Sequence, residues 1–287
     1  MVPVLRAASL CLLLVACEAT DTPPPGDASG PDPEPVLQEY RGVLHVHSRY
    51  SHDSEGTYPE ILAAAQEVGL DFVVMTDHPP REDPGLSLRE GWRGIHGGVL
   101  FIQGAELSSQ ILAVGIREPI RARKPQAILA EVHAQGGLAF VCHGEKVEDW
   151  AEFAGFDGME IYNTHTALKA RQESTLFWAR FLQLSLEDPD SAWSLLCEPQ
   201  EALLGPWREE RLRRPTFAAI AGNDAHQNVY GFDPYTRSLG FVQTHVWATE
   251  LSEEALLEGL RQGRTSVHFR DFGDPEVAER AERAAGR

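Results

Sequence analysis

The segment Leu44-His45-Val46-His47-Ser48-Arg49-Tyr50-Ser51-His52-Asp53 places three histidines and an aspartate on, and just after, a short apolar run. In an extended chain alternate side chains share a face, so His45 and His47 are expected to point one way and Leu44 and Val46 the other. Two imidazoles on one strand face make half of a metal site. For such a segment standing alone, a pair of structural histidines is the ordinary alternative. The decision rests on whether other segments end in the same way.

They do. Apolar strand, polar loop and helix recur along the chain, with strands expected over 42–47, 71–75, 99–105, 111–116, 138–142, 158–162, 217–221, 244–248 and 265–269. A helix is expected over 57–68, where Thr57 and Glu60 form a capping box and Pro59 sits in the first turn. Others are expected over 125–135, 147–154, 166–184 and 252–262, with one or two short helices in an insertion over 187–214. Strands alternating with helices predict an α/β fold with a mostly parallel sheet, and this many units in residues 37–273 predict a TIM-like barrel. In such barrels the chemistry sits at the carboxyl ends of the strands. At those ends the sequence places His45 and His47, Thr76-Asp77-His78, Gly104-Ala105-Glu106, Cys142-His143, Asn163 with His165, and Asn223-Asp224-Ala225-His226. Structural histidines would scatter instead, as His96, His133, His245 and His268 do.

So many imidazoles and carboxylates on one rim would repel one another and leave donors unpaired unless cations joined them. Nitrogen and oxygen donors without thiolates suit zinc, manganese or iron, and their number suits more than one divalent ion, with Glu106 as a bridge.

Taken in order, His45-Val46-His47, the serine-rich turn to Asp53, Thr76-Asp77-His78, Gly104-Ala105-Glu106, Cys142-His143 and Asn223-Asp224-Ala225-His226 resemble the PHP (polymerase and histidinol phosphatase) domain. The resemblance spans nearly all of 44–269 and implies a distorted (β/α)7 barrel with two or three metal ions that hydrolyses phosphoesters. It implies one ion on His45, His47, Glu106 and Asp224, a second shared by Glu106 and His143, and a third on His78, His226 and a group from the turn at 51–53. That turn offers both His52 and Asp53; Asp53, next to Glu55 and Gly56, is preferred. The family often has a histidine where this chain has Gln110, which leaves Gln110 as a weaker candidate for the second ion. Water activated by the ions is the implied nucleophile, with no side chain needed as a strong base. Arg49, Lys146 and Arg237, in loops following ligand-bearing strands, are candidate phosphate contacts.

Residues 1–16, with Arg6 and an apolar run ending Leu14-Val15-Ala16 before Cys17, read as a signal peptide and resemble a bacterial lipobox, implying a lipid on Cys17 and residence in the cell envelope. Residues 17–36, rich in Pro and Asp, read as a disordered linker, and 274–287 as a frayed charged tail. Of the four cysteines this leaves Cys142 and Cys197, too few for a disulfide framework. With 25 basic and 43 acidic residues the net charge is −18, which argues against nucleic acid as partner and for a small phosphorylated or otherwise hydrolysable substrate. Two further readings stay open: a metallohydrolase of amides, carbamates or esters, and a non-catalytic lipoprotein that binds metal or ligand.

Overall fold

The computed structural model describes residues 35–228 and 233–286. The expected signal peptide, Cys17, all but the end of the linker, and residues 229–232 lie outside the described residues.

Ten strands and nine α-helices are described: β1 (Gln38–Val46), α1 (Tyr58–Glu67), β2 (Phe72–Met75), β3 (Gly94–His96), β4 (Val99–Leu107), β5 (Ile111–Val114), α2 (Pro125–Ala134), β6 (Leu138–Val141), β7 (Gly158–Asn163), α3 (Thr164–Lys169), α4 (Thr175–Glu187), α5 (Pro189–Trp193), α6 (Glu201–Arg213), β8 (Ala218–Ala225), α7 (Tyr235–Phe241), β9 (Val242–Ala248), α8 (Glu253–Arg261), β10 (Thr265–Phe269) and α9 (Pro275–Ala284). Strands β1-β2-β4-β5-β6-β7-β8 lie side by side, and β8 pairs with β1 to close a seven-stranded barrel. The expected α/β barrel is the fold.

One barrel strand departs from the mostly parallel expectation. β5 is antiparallel to both β4 and β6. Only Ser108, Ser109 and Gln110 separate β4 from β5, with φ at 70° and 60° at Ser109 and Gln110. A link this short can turn a hairpin but cannot supply the crossover a parallel neighbour requires. The last two strands also leave the barrel: β9 pairs antiparallel with the first half of β1, and β10 pairs antiparallel with β9.

The lumen is filled by Leu44, Phe72, Ile102, Leu112, Phe140 and Ile220, among others, and Leu256, Leu257 and Leu260 of α8 join the same cluster. The opposite end, where β1, β2, β4, β6, β7 and β8 finish, is the polar one. Outside the barrel, α1 packs Ile61, Ala64 and Ala65 on Val43, Val73 and Phe101. Its capping box is present, with Glu60 Oε2 accepting from Thr57 N at 2.8 Å.

Several expected boundaries change. The helix expected over 166–184 is two, because the Ser174 side chain accepts from Phe177 N and restarts the helix as α4. The segment 147–154 holds a 3₁₀ turn, Trp150–Phe153, capped by Asp149. The tail expected to fray is a docked helix: Asp274 caps α9, which buries Val277, Ala281 and Ala284 against a cluster that includes Ile161, Tyr162 and Phe241. Its charges occupy the outer face and its small apolar residues the inner one. Cys142 and Cys197 are buried free thiols. Among the described residues no helix is long and apolar enough to cross a membrane.

Candidate metal centre

His45 reaches the lumen through a bulge. Its φ is 67°, and the pairing of β1 slips between Val43 and Val46 on the β2 side and between Leu44 and Val46 on the β8 side. Val43 and Val46 therefore both face outward under α1, while Leu44 lies in the lumen beneath the histidines. The expectation that Leu44 and Val46 share the face opposite His45 and His47 is corrected: one inserted residue resets the alternation. The two imidazoles nevertheless converge, with ring centroids 5.1 Å apart.

The other groups arrive from their own strand ends. On β4, Leu100 and Ile102 face the lumen and Glu106 continues that face at the rim. Between them, a Cβ on Gly104 would collide with the carbonyl oxygens of Ala113 and Met75. His143 follows β6 with φ 47°, and Asp224 ends β8 with φ 50°. Three non-glycine residues in the left-handed region within one site mark backbone held there by its surroundings, at a cost of about 1–3 kcal/mol each.

One carboxylate lies at the middle. Glu106 Oε2 is 2.9 Å from His45 Nε2, 3.3 Å from His47 Nε2 and 3.3 Å from His78 Nε2, and Glu106 Oε1 is 3.5 Å from His143 Nε2. Asp224 Oδ1 lies 3.3 Å from His45 Nε2, and Asp224 Oδ2 lies 3.4 Å from His143 Nε2. Asp53 Oδ2 lies 3.3 Å from both His78 Nε2 and His226 Nε2. Donor atoms of His45, His47, Glu106 and Asp224 lie within 4.8 Å of one another, as do those of His47, Asp53 and His226 and those of Glu106, Cys142 and His143. The eight expected ligands thus form one continuous cluster.

The donors fit divalent ions. Neighbouring ligands on an ion with bonds of about 2.1 Å stand roughly 3.0–3.4 Å apart, as most of these pairs do. His47 Nε2 is buried and has no hydrogen-bond partner, and burial lowers the pKa of that ring to about 4, leaving it neutral and able to coordinate. Burial opposes charge on His45 as well, but Asp224, Glu106 and Glu160 outweigh it and raise its pKa well above the usual value. Burial likewise works against ionised Glu106, yet His45 and the other rings hold its pKa well below the ordinary carboxylate value. Cations entering here displace protons from such rings. The Cys142 thiol, 3.8 Å from Glu106 Oε1, is pushed well up by burial and is a neutral neighbour.

Of the two turn residues, Asp53 points inward: His52 has a side chain 78% exposed, against 30% for Asp53. Ser51 Oγ donates to Asp53 Oδ1 at 2.7 Å and accepts from His78 N at 3.1 Å, which ties the turn to β2. The Gln110 carbonyl accepts from Cys142 N at 3.0 Å, and among the described residues its side chain makes no hydrogen bond to the candidate ligands. Arg49 lines a cleft together with His78 and Glu106, and Lys146 lines an adjoining one with His143, Asp224 and His165. Arg237 does not join them. It lies on α7, pairs with Asp190 at 3.3 Å and lines a separate cleft with Arg270, because α7 turns that face away from the rim.

Two carboxylates stand behind the ligands: Glu160, which is not among the residues expected from the sequence, and Asp77 of the Thr76-Asp77-His78 strand end. Glu160 on β7 is fully buried; its Oε1 lies 2.5 Å from His45 Nδ1, and its Oε2 accepts from His143 N at 3.0 Å and Asn163 Nδ2 at 3.0 Å. It steadies two of the left-handed residues at once. Its room comes from Gly222 on β8, where any Cβ would overlap the Glu160 carboxylate. The signal in the sequence is a lone carboxylate within the apolar strand Gly158-Met159-Glu160-Ile161-Tyr162. Asp77 accepts from Ser48 N at 2.5 Å and Ser48 Oγ at 2.8 Å, and burial raises its pKa to about 6.

Among solved structures, similarity extends to a two-domain protein from Bacteroides vulgatus ATCC 8482 containing a predicted PHP-like metal-dependent phosphoesterase, with 16% identity over 86% of this chain and 70% of that one and a TM-score of 0.53. At that identity the likeness is one of fold. The lesion-specific endonuclease PfuEndoQ from Pyrococcus furiosus (12% identity, 78% of this chain, 56% of that one, TM-score 0.46) and PsfC from Pseudomonas syringae PB-5123 (14%, 86% and 98%, 0.46) are more distant in shape. No curated protein matches the chain. The family model of the PHP domain matches residues 44–169, the stretch that supplies His45, His47, Asp53, His78, Glu106 and His143, while Asp224 and His226 come from beyond it.

Proposed function

We propose that this chain is a metal-dependent hydrolase, and specifically a phosphoesterase acting on small phosphorylated compounds. The observation that carries the reading is Glu106, whose two oxygens stand within 3.5 Å of the ring nitrogens of His45, His47, His78 and His143 at the open end of the barrel. Divalent ions held by such a set supply Lewis acidity that brings the pKa of water from 15.7 to about 7. The chain's own part is to hold the donors rigidly, through Glu160, Asp77 and Ser51, and to offer cations from Arg49 and Lys146 to the anionic group. The match to the PHP domain supports phosphorus over carbon as the centre attacked. The net charge of −18 supports a small substrate over a nucleic acid.

The test is hydrolysis of a phosphoester panel beside an amide, carbamate and ester panel, before and after chelation and with zinc, manganese or iron restored. Metal-dependent release of phosphate is expected. Full turnover by thoroughly metal-free protein, or activity confined to the carbon panel, overturns the reading. The apolar leader and Cys17 support attachment to the cell envelope through lipid; a Cys17→Ser variant that fractionates with membranes as the parent does would exclude it.

A further inference from the structure

The cleft that contains His78 and Glu106 has a volume of about 1060 Å³, and four arginines, Arg49, Arg81, Arg121 and Arg123, line it. In a chain of net charge −18 that grouping is unusual. Many arginines elsewhere are matched locally with carboxylates, as Arg93 is with Glu253, Arg171 with Glu198, Arg214 with Glu210 and Arg261 with Glu258, while Arg180, Arg211 and Arg264 bond a side-chain amide or backbone carbonyls. Among the described residues none of the four cleft arginines makes an ion pair; Glu82 lines the same cleft, and Glu131 stands beside the Arg121 backbone.

The positions are built rather than incidental. Between Pro119 and Pro125 the chain forms neither helix nor strand, and burial alternates along it, with Ile120 and Ala122 packed into the core cluster that α2 joins and Arg121 and Arg123 exposed. Glu131 of α2 accepts from Arg121 N at 2.7 Å and Ala122 N at 3.2 Å, which pins this segment to the barrel. Arg81 follows Pro79-Pro80, and Arg49 N donates to Gly56 O at 2.6 Å. Guanidinium groups held unpaired on rigid backbone suit the bidentate recognition of phosphate.

We propose that this lobe is a second anion subsite and that the preferred substrates are small molecules bearing a second phosphate besides the one hydrolysed. The inference rests on the phosphoesterase reading above. Water adds to one phosphorus, the bond between that phosphorus and the ester oxygen breaks, and the products are inorganic phosphate and an alcohol that keeps the other phosphate. The arginines would hold that retained group while the metal cluster holds the one that leaves.

The experiment compares kcat/KM for α,ω-alkanediol bisphosphates, from propanediol to octanediol, with the matching monophosphates on metal-loaded full-length protein. A preference of about tenfold or more for the bisphosphate at an optimal chain length is expected, on the scale of one charge-assisted hydrogen bond. In an Arg121→Ala/Arg123→Ala variant the ratio should fall to about twofold or less, whereas Arg213→Ala, which removes an exposed charge paired with Glu210, should keep it. Equal kcat/KM at every length, a ratio unmoved by the double substitution, or preferential cleavage of a single-stranded oligonucleotide overturns the proposal. If no phosphoester is cleaved, calorimetric titration with alkane bisphosphonates and monophosphonates decides separately. Tighter bisphosphonate binding lost in the double variant keeps the subsite and overturns only the phosphoesterase reading; equal binding overturns the subsite.

Discussion

Glu160 Oε1 lies 2.5 Å from His45 Nδ1, on the opposite edge of the imidazole from Glu106, whose Oε2 lies 2.9 Å from Nε2. A carboxylate behind a ligating histidine fixes its tautomer and raises its basicity. Glu160→Gln keeps the size but not the charge, and is expected to weaken metal affinity by about 10–100-fold. Competition titration against a chromophoric chelator measures it, and an unchanged affinity would remove Glu160 from the site.

Asp53 and His52 are adjacent in sequence and differ in burial, although His52 Nε2 lies 4.0 Å from Asp53 Oδ2 and the two group with His78 within 4.8 Å. Asp53 contacts His78 and His226, whereas His52 is largely in solvent. Asp53→Ala should lose about tenfold or more in metal affinity or rate. His52→Ala should stay within about threefold, a change below about 1 kcal/mol. The reverse order in a parallel assay of both variants would mean that the turn rearranges when metal binds.

Gly222→Ala tests the packing that admits Glu160. The added methyl overlaps the Glu160 carboxylate and Asn163 Nδ2. Overpacking of this kind costs about 1–3 kcal/mol, so the melting temperature of chelator-treated protein should fall by several degrees. Metal affinity should fall with it; a variant with an unshifted melt and full affinity would show that Glu160 has room to move.

Deleting α9 should cost about 2–4 kcal/mol, because Val277, Ala281 and Ala284 leave a buried cluster. Metal stoichiometry should be unaffected, since none of the eight candidate metal ligands lies on α9. Denaturant titration alongside metal analysis reads both, and a truncated chain of parental stability would restore the view of 274–287 as a frayed tail.

Much of the candidate site was legible because a strand end is a local feature. His45, His47, His78, Glu106, His143, Asp224 and His226 each follow an apolar run, and the barrel rule alone sends such positions to one rim. Glu160 was not read because it sits inside a strand, where only its partners across the lumen show that the carboxylate faces His45. Arg237 was read wrongly because position in a loop after a ligand-bearing strand does not say which way the following helix turns. The direction of β5 could have been read, since three residues cannot carry a crossover.

By itself the sequence determined the alternation of strands and helices, the barrel they close and the set of candidate donors, since periodicity and residue chemistry are written position by position. Tertiary structure decided the rest. The inward histidines depend on a bulge with φ 67° at His45, the choice of Asp53 over His52 depends on a turn tied to β2 through Ser51, and the arginine lobe joins loops that are distant along the chain. Each is a relation between segments, set by which backbones the closed barrel brings together and by which charges it leaves unpaired.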